Sequence, residues 1–290
     1  MAGLEISAHA KINLSLDVLG KRENGYHDLR MIMQTVSLHD TVQLEALPGG
    51  ISLECNSRWV PQDGTNIAWK AASLLIDQYG IKSGVKIKII KRIPVAAGLA
   101  GGSTDAAAVL RGMNELFSLG LGYDELRRLG KQLGADVPYC VSGGTKLAEG
   151  IGERLTALPD FSGVDIVLVK PKIGVSTAWV FGNLDITGIV ESDRPNTNML
   201  GQAIAQRDIK TVSRTMKNVL EMVTIPKYNI VQEAKDRLLD LGALGSMMSG
   251  SGPTVFGIFS DNRAAAEAWG KLSTDSRWQC FYTKTTGNIK

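Results

Sequence analysis

Apolar and polar residues alternate without interruption from Leu4 to Val18. The apolar side is leucine, isoleucine, alanine and valine, and the polar side consists of Glu5, Ser7, His9, Lys11, Asn13, Ser15 and Asp17. A period of two predicts a long β-strand with one polar face. Asn24-Gly25 then supplies turn residues, and the run from Met31 to Leu47 predicts further strand. The chain is therefore expected to open with β-structure.

Helix and strand patterns alternate through the next hundred residues. Asn66 is a candidate cap for a helix that runs toward residue 80, and the alternation from Val85 to Ile89 predicts another strand. A glycine-rich loop follows directly, and Ser103-Thr104-Asp105 is expected to cap the helix after it. A further helix is predicted from Tyr123 to Leu133.

The order of elements changes beyond about residue 150, where we place a domain boundary. The later elements are a strand at Val164–Val169, helical stretches near Asn198–Val223 and Tyr228–Leu241, a loop and strand within Gly245–Phe259, a helix at Arg263–Leu272 and a closing strand at Trp278–Thr283. Residues 1–150 and 151–290 are thus expected to form separate domains.

Composition narrows the class of protein. With 290 residues, of which 44% are hydrophobic, the chain has enough apolar side chains for a large core, so it belongs with the folded proteins. A formal net charge of +3 is compatible with an anionic small-molecule substrate. This small charge and the 6% content of aromatic residues argue against nucleic-acid binding. No apolar run approaches the roughly 18 residues that span a bilayer, so no membrane segment is expected.

The N-terminus and the cysteines bear on location. Charged residues interrupt what would be the apolar core of a signal peptide, so the N-terminus is predicted to be part of the fold. The three cysteines are an odd number without CxxC spacing, which indicates neither a disulfide framework nor a zinc site. We therefore expect a cytoplasmic protein.

One loop has the composition of an anion-binding turn. It joins a predicted strand to a predicted helix and consists of Pro94, Val95, Ala96, Ala97, Gly98, Leu99, Ala100, Gly101, Gly102, Ser103 and Thr104. Small residues let backbone N–H groups approach a phosphate, and a helix start adds its positive dipole end. The order matches neither G-x-G-x-x-G nor a P-loop, and close packing of the backbone explains the same residues.

A second flexible loop and two charged residues are candidates for the same site. Ser249-Gly250-Ser251-Gly252-Pro253 precedes an apolar strand and suits either a phosphate cleft or an ordinary turn. Lys11 lies in mid-strand, where its ammonium group either points into a cleft or is solvated. Asp136 precedes Val-Pro, a position typical of a turn or helix cap and equally open to a catalytic carboxylate.

Together these segments resemble the GHMP small-molecule kinases. The resemblance is carried, in the family's order, by Ala10-Lys11-Ile12-Asn13-Leu14, Gly20–Leu29, the Pro94–Thr104 loop, Gly134-Ala135-Asp136-Val137-Pro138, Ala148–Glu153 and Ser249–Pro253. The Gly-Tyr-His-Asp-Leu segment is particular to the branch that acts on 4-diphosphocytidyl-2-C-methyl-D-erythritol, a cytidine-linked sugar alcohol of non-mevalonate isoprenoid precursor biosynthesis.

The resemblance implies an α+β fold of two domains with the active site between them. Residues 1–150 would form an ATP-binding domain similar to the second domain of ribosomal protein S5, and residues 151–290 a ferredoxin-like domain that completes the cleft. The reaction would be ATP-dependent phosphorylation of the substrate's 2-hydroxyl, with Mg²⁺ on the nucleotide. The resemblance leaves the metal ligands and the oligomeric state open.

It also implies roles for individual residues. Asp136 matches the catalytic carboxylate that accepts the hydroxyl proton, and Lys11 matches its partner lysine. The Pro94–Thr104 loop matches the segment that binds the ATP phosphates. Tyr26 and His27 match the cytidine pocket, since a ring stacks on cytosine and an imidazole pairs with its polar edge.

Four further residues are expected near the ligands. Asn13 would reach the erythritol hydroxyls, while Asn66 and Lys91, together with His9, are expected close to the nucleotide without an assigned role. The loop departs from the family pattern at three alanines, which stand at positions 96, 97 and 100 where relatives often carry glycine. Because a Cβ restricts positive φ, the pairing of individual amides with individual phosphates is left open.

Two other functions are consistent with parts of the sequence. One is a kinase of the same family with homoserine, mevalonate or a sugar as acceptor, against which the Tyr26-His27 segment argues because those acceptors have no base to stack. The other is a nucleotide-sensing or RNA-binding protein on a domain that resembles a ribosomal one. The near-neutral charge and the few aromatic residues argue against it.

Overall fold

The computed structural model describes residues 3–289, which form two β-sheets with helices packed on them. The first sheet comprises β1 (Leu4–Lys21), β2 (His27–Leu47), β3 (Ile51–Cys55), β4 (Gly84–Ile90), β5 (Thr145–Gly150) and β6 (Arg154–Ala157). Its helices are α1 (Ile67–Tyr79), α2 (Gly101–Leu116), α3 (Tyr123–Leu133) and α4 (Val137–Ser142). The α+β class predicted from the sequence is confirmed.

The long hairpin of β1 and β2 organises the first sheet. β1 pairs antiparallel with β2 along most of its length. The other edge of β2 pairs with β5 over Leu29–Gln34 and with β4 over Thr41–Leu47. α1 and α2 pack against one face of this sheet, because their alanines and leucines join its inward-facing side chains in one core.

β1 does not keep the single polar face that its alternation predicts. Its register against β2 shifts between His9 and Lys11 and again between Asn13 and Ser15. Each irregularity of this kind turns the following side chains to the other face of the sheet. Ala10, Ile12 and Leu14 consequently pack in one core together with residues of the second sheet, whereas Ala8, Leu16 and Val18 pack in the other core, which includes α1 and α2.

The second sheet has the order β10-β7-β9-β8 and is antiparallel throughout. Its strands are β7 (Asp165–Pro171), β8 (Gly245–Met248), β9 (Val255–Phe259) and β10 (Trp278–Lys284). Helices α5 (Thr177–Gly182), α6 (Thr197–Ala205), α7 (Ile209–Thr215), α8 (Glu221–Lys227) and α9 (Ile230–Asp240) separate β7 from β8, and α10 (Asn262–Leu272) separates β9 from β10. This connectivity and strand order are ferredoxin-like, as predicted.

The helical region predicted near 198–223 is helical but not one continuous element. It divides into α6, α7 and the start of α8. Arg207 adopts a left-handed φ of 53° after α6, and Asp208 accepts a hydrogen bond from the Thr211 amide as the cap of α7. Asn218 then donates to the carbonyl oxygens of Met248 and Gly250, a tertiary contact that fixes the break before α8.

The chain passes from the first sheet to the second after β6, and it returns to the first after β10. β6 pairs with β5 in the first sheet, beyond residue 150, before β7 opens the second. After β10 the chain returns, and Thr285 and Asn288 form bridges with Val36 and Gly143. The division at residue 150 stays a prediction. Of the helices within residues 3–289, none has the length and apolar character needed to cross a membrane.

Candidate active site

A cavity of about 1030 Å³ opens where the first sheet meets α5 and the loop after β8. Its walls come from β1, the turn before β2, the loop before α1 and the loop after β4. The residues before α4, helix α5 and the loop after β8 complete them. Both halves of the chain contribute, which is the arrangement expected of a site that holds two substrates at once.

Lys11 and Asp136 meet at the wall of this cavity. The Nζ atom of Lys11 lies 3.9 Å from Oδ2 of Asp136 and donates a 2.6 Å hydrogen bond to Oδ1 of Asn13. Lys11 is buried, whereas the Asp136 side chain is 33% exposed. Asp136 occupies the N-cap position of α4 but its side chain caps no amide there. Its carboxylate therefore faces the cavity with free lone pairs.

The register shifts of β1 on either side of the segment Lys11–Asn13 place Lys11 at this position. Between them, the apolar residues of β1 turn toward the second sheet, so Lys11 and Asn13 face the opposite way. Asn13 is fully buried beneath Lys11 and also approaches the sulfur of Met31 at 3.2 Å. It orients the ammonium group without lining the cavity itself.

The loop of residues 94–100 leads directly into α2 at the cavity wall. Ala96, Gly98 and Ala100 adopt left-handed φ values of 51°, 74° and 59°. The predicted cap at Ser103-Thr104-Asp105 is wrong, because α2 begins at Gly101 with Ala100 as its N-cap and no side-chain cap bond. The first amides of α2 are therefore left for a ligand, and the positive end of the helix dipole lies beside the cavity.

The second glycine-rich loop, after β8, packs against the first. Ser249 Oγ donates a 3.0 Å hydrogen bond to the carbonyl oxygen of Gly98. A Cβ on Gly98 would stand 2.2 Å from the Ser249 carbonyl oxygen, so only glycine allows this approach. Gly250 and Ser251 line the cavity, and the Ser251 hydroxyl lies 2.8 Å from that of Thr177 on α5. The sequence prediction that the two loops share one cleft agrees with this geometry.

Aromatic side chains line the far end of the cavity. Tyr26 is 58% exposed, and the His27 ring stacks on Phe181 of α5 with centroids 5.1 Å apart and planes inclined by 29°. Burial, with the nearby charge of Lys21, lowers the pKa of His27. The ring is therefore neutral at pH 7 and presents one donor and one acceptor nitrogen. A flat heterocycle with a polar edge fits this wall.

A buried group of charges lies behind the first turn of α2. The Nζ atom of Lys91 donates at 2.5 Å to Asp40 on β2 and at 2.7 Å to Asp105 on α2. All three side chains are at most 6% exposed. The other oxygen of Asp40 accepts the backbone amides of Arg92 and Ile93. We call Asp40, Lys91 and Asp105 the acid–lysine cluster.

Most of the residues predicted for the site line the one cavity. These are Lys11, Tyr26, His27, Pro94, Val95, Ala96, Ala97, Gly98, Ala100, Gly101, Gly102, Ser103 and Asp136. The side chains of Leu99 and Thr104 do not, because Leu99 packs in the core and the Thr104 hydroxyl donates to the His9 carbonyl oxygen at 2.6 Å. Asn66 and Lys91 line the cavity, whereas His9 does not.

The sequence analysis missed α5 and the residues it brings to the cavity. Thr177 and Phe181 lie on this helix, which Ser176 caps by accepting the amide of Trp179. A serine followed by the mostly apolar run Thr-Ala-Trp-Val-Phe was the available signal. It is only six residues long, too short for helical periodicity to stand out.

Family models match both halves of the chain. The model of the GHMP kinases N terminal domain matches residues 66–144, and the model of the GHMP kinases C terminal region matches residues 202–275. The first match includes the loop before α2 and Asp136, and the second includes the loop after β8. The two glycine-rich loops of the cavity thus fall within matched segments.

Named relatives match nearly the full chain. The 4-diphosphocytidyl-2-C-methyl-D-erythritol kinase of Acetivibrio thermocellus is 58% identical over 285 residues, which are 98% of this chain and 100% of the relative. The enzyme of the same name from Clostridium botulinum strain Alaska E43 is 51% identical over 282 residues, 97% of this chain and 100% of the relative.

Solved structures share the fold of this chain. The crystal structure of a 4-(cytidine 5'-diphospho)-2C-methyl-D-erythritol kinase aligns with a TM-score of 0.80 at 32% identity, covering 98% of this chain and 100% of that one. A homoserine kinase from Cytophaga hutchinsonii aligns with a TM-score of 0.78 at 21% identity, covering 99% and 96%, which shows a shared fold alone. The two-domain fold predicted from the sequence is confirmed.

Proposed function

The chain belongs to the GHMP kinases and, within them, to the 4-diphosphocytidyl-2-C-methyl-D-erythritol kinases, and we propose that Lys11 and Asp136 are its catalytic pair. The enzyme transfers the γ-phosphoryl group of ATP to the 2-hydroxyl of 4-diphosphocytidyl-2-C-methyl-D-erythritol, a step toward isoprenoid precursors by the non-mevalonate route. The observation that carries the residue assignment is the 3.9 Å approach of Lys11 Nζ to Asp136 at the cavity wall.

Asp136 is proposed to accept the proton of the attacking hydroxyl. As the O–H bond breaks, the oxygen forms a bond to the γ-phosphorus and the bond from that phosphorus to the β–γ bridging oxygen breaks, releasing ADP. The proton ends on the Asp136 carboxylate, whose lone pairs are free. The Lys11 ammonium group, steadied by Asn13, stabilises the negative charge that develops on the oxygen.

The start of α2 is proposed to hold the ATP phosphates. Uncapped amides at Gly101, Gly102 and Ser103 and the helix dipole supply donors and positive potential without a lysine-containing P-loop. We propose Mg²⁺ as the ion carried on these phosphates. Within residues 3–289 no group of three His, Cys, Asp or Glu side chains is placed to hold a metal, which suits an ion bound mainly through phosphates.

The aromatic wall is proposed to bind the cytidine. The exposed Tyr26 ring offers a stacking face, and the neutral His27 ring, held by Phe181, offers a donor and an acceptor to the edge of cytosine. Asn13 is proposed to act on the erythritol end through Lys11, since its amide is covered by that side chain.

The proposal also places the enzyme in the cytoplasm, with small-molecule substrates and neither nucleic acid nor membrane as partner. The near-neutral net charge of +3 supports the absence of a nucleic-acid partner.

The test is an assay of the purified chain with Mg·ATP and a panel of acceptors. Phosphorus NMR is expected to show a new phosphomonoester on the 2-carbon of the cytidyl alcohol. Homoserine, mevalonate and sugars, which lack the base, should give less than a hundredth of that rate. Equal turnover of any of them would refute the assignment of the acceptor site.

A further inference from the structure

The acid–lysine cluster carries one more negative than positive charge if both carboxyl groups are ionised. Asp40 has partners for both oxygens, through Lys91 and the amides of Arg92 and Ile93. Asp105 has a partner for one oxygen only. Its Oδ1 atom is buried and has no hydrogen-bond partner among residues 3–289. A buried, uncompensated carboxylate oxygen is costly unless it carries a proton.

The cluster lies directly beside the proposed phosphate site. Lys91 and Asp105 both line the cavity. The Lys91 Nζ atom is 3.1 Å from the position that a Cβ on Gly101 would take, so the cluster abuts the first residue of α2. A net negative charge here would repel an incoming triphosphate through a region of low dielectric constant.

We propose that Asp105 holds a proton on its unpartnered oxygen, and that this proton makes the cluster neutral and allows the ATP phosphates to bind at the start of α2. The inference rests on the proposed function in that ATP is taken as the nucleotide of this cavity. Asp105 is thus a positioning residue that sets the local charge, and the chemistry remains with Lys11 and Asp136.

The surroundings of Asp105 support a proton there. Burial raises the pKa of Asp105 to about 8, and the carboxyl group of Asp40 adds to the effect while Lys91 opposes it. Burial alone would lower the pKa of Lys91, but the two neighbouring aspartates raise it. With the proton on Asp105, the ionised Asp40 at 2.5 Å remains as the counter-charge of the ammonium group. Cys55 at the end of β3 also lies close enough to interact with all three members of the cluster, and burial raises the pKa of its thiol.

The affinity for ATP is expected to fall as the pH rises. Below about pH 8 the carboxyl group is already protonated and ATP binds without exchanging a proton. Above about pH 8 the Asp105 carboxyl group is ionised in the free enzyme. Because the arriving phosphates raise its pKa, ATP binding takes up a proton, and the affinity for ATP falls as the pH rises. ATP itself does not account for such a change, since a phosphate monoester loses its last proton near pH 6.

The experiment is calorimetric titration of the full chain with Mg·ATP, without acceptor, from pH 7 to 9.5. We expect Kd to rise about tenfold over this range, the effect of a pKa raised by one unit on binding. At pH 8.5, titrations in buffers of different ionisation enthalpy should show uptake of about half a proton or more per ATP. A wild-type Kd that stays constant, or zero proton uptake, would overturn the proposal.

Asp105→Asn keeps the size of the side chain and removes its titration. In this variant, Kd at pH 9.5 should stay within twofold of its own value at pH 7, and proton uptake should vanish. Asp77→Asn on the exposed face of α1 and Cys55→Ser are the controls, and both should keep the wild-type profile. If Asp105→Asn keeps it too, or Cys55→Ser abolishes it, Asp105 is not the group. Failure of the wild-type chain to bind ATP at any pH would instead refute the proposed function.

Discussion

Two lysine–carboxylate groups lie along the wall of the same cavity, and they differ in the distance between their charges and in the exposure of their carboxylates. Lys91 is 2.5 Å and 2.7 Å from its two carboxylates, and all three side chains are buried. Lys11 is 3.9 Å from Asp136, which is one-third exposed. Tight, dry pairing fixes the positions of β2, β4 and α2 relative to one another. Loose pairing at the cavity leaves a carboxylate free to take a proton.

The comparison predicts that the two groups fail differently when broken. Loss of the Lys11–Asp136 pair should lower activity and leave the fold intact, whereas loss of the acid–lysine cluster should first lower the free energy of unfolding. The first expectation is tested at Asp136, where a side-chain amide has nearly the same shape but cannot act as a base.

Asp136→Asn is expected to lower kcat about a thousandfold, which corresponds to roughly 4 kcal/mol of transition-state stabilisation. Circular dichroism and the melting temperature should match the wild type, because the Asp136 side chain caps no helix amide. Steady-state kinetics with both substrates saturating give the result. A folded variant with more than a tenth of the wild-type kcat would contradict the role of Asp136.

Lys91→Met tests the other side of the comparison. It leaves two buried carboxyl groups without their counter-charge, and removal of one partner of a buried ion pair costs about 3–5 kcal/mol. We expect a loss near the lower end, about 3 kcal/mol in urea unfolding, because Asp40 keeps its bonds to the Arg92 and Ile93 amides. Lys82→Met, at an exposed position, should change stability little. Equal stability of both variants would show that the cluster does not brace the fold.

Phe181→Ala separates binding contacts from both charged groups. The stacked His27 ring loses its support, so KM for the cytidyl substrate is expected to rise about tenfold, equal to roughly 1.4 kcal/mol. kcat and KM for ATP should stay within twofold, since the contact is made equally in ground and transition states. Trp269→Phe, an aromatic change outside the cavity, is the control. A rise in KM for ATP instead would place the base of the nucleotide at this wall.

The smallest effect is expected at the loop beside the acid–lysine cluster. Ala100 adopts φ 59°, a left-handed conformation that costs an L-residue about 1–2 kcal/mol and glycine little. Ala100→Gly should therefore stabilise the protein by about 0.5–1 kcal/mol in urea unfolding. Ala97→Gly is the matched control, since Ala97 is buried with an ordinary φ and should lose stability instead. Destabilisation by both substitutions would contradict strain at Ala100.

Local pattern predicted much of the fold. The helix over Tyr123–Leu133 has the predicted bounds, since its strongly amphipathic pattern and the following glycine make a local signal. Alternation likewise identified β1 and β4. It could not reveal the register shifts on either side of Lys11–Asn13, because they depend on pairing with β2 and on the second sheet that covers residues 10–14. Those shifts decide which way Lys11 points.

The site was predictable to the extent that it lies in continuous segments. The loop at 94–104, the Tyr26-His27 turn and Asp136 each carry their signal in a few adjacent residues. The acid–lysine cluster joins residues 40, 91 and 105, and Phe181 reaches the cavity from a six-residue helix. Such contacts exist only after tertiary packing, so neither spacing nor periodicity could have paired Lys91 with Asp40 and Asp105.

A double-mutant cycle shows whether Lys11 and Asp136 act jointly on the attacking hydroxyl. Single-turnover rates of phosphoryl transfer are measured for Lys11→Met, Asp136→Asn and the double variant. If the two groups work as a unit, the double variant should lose no more than about threefold beyond the worse single variant, since the second loss removes nothing further. Two independent losses that multiply in the double variant would contradict joint action of the two residues.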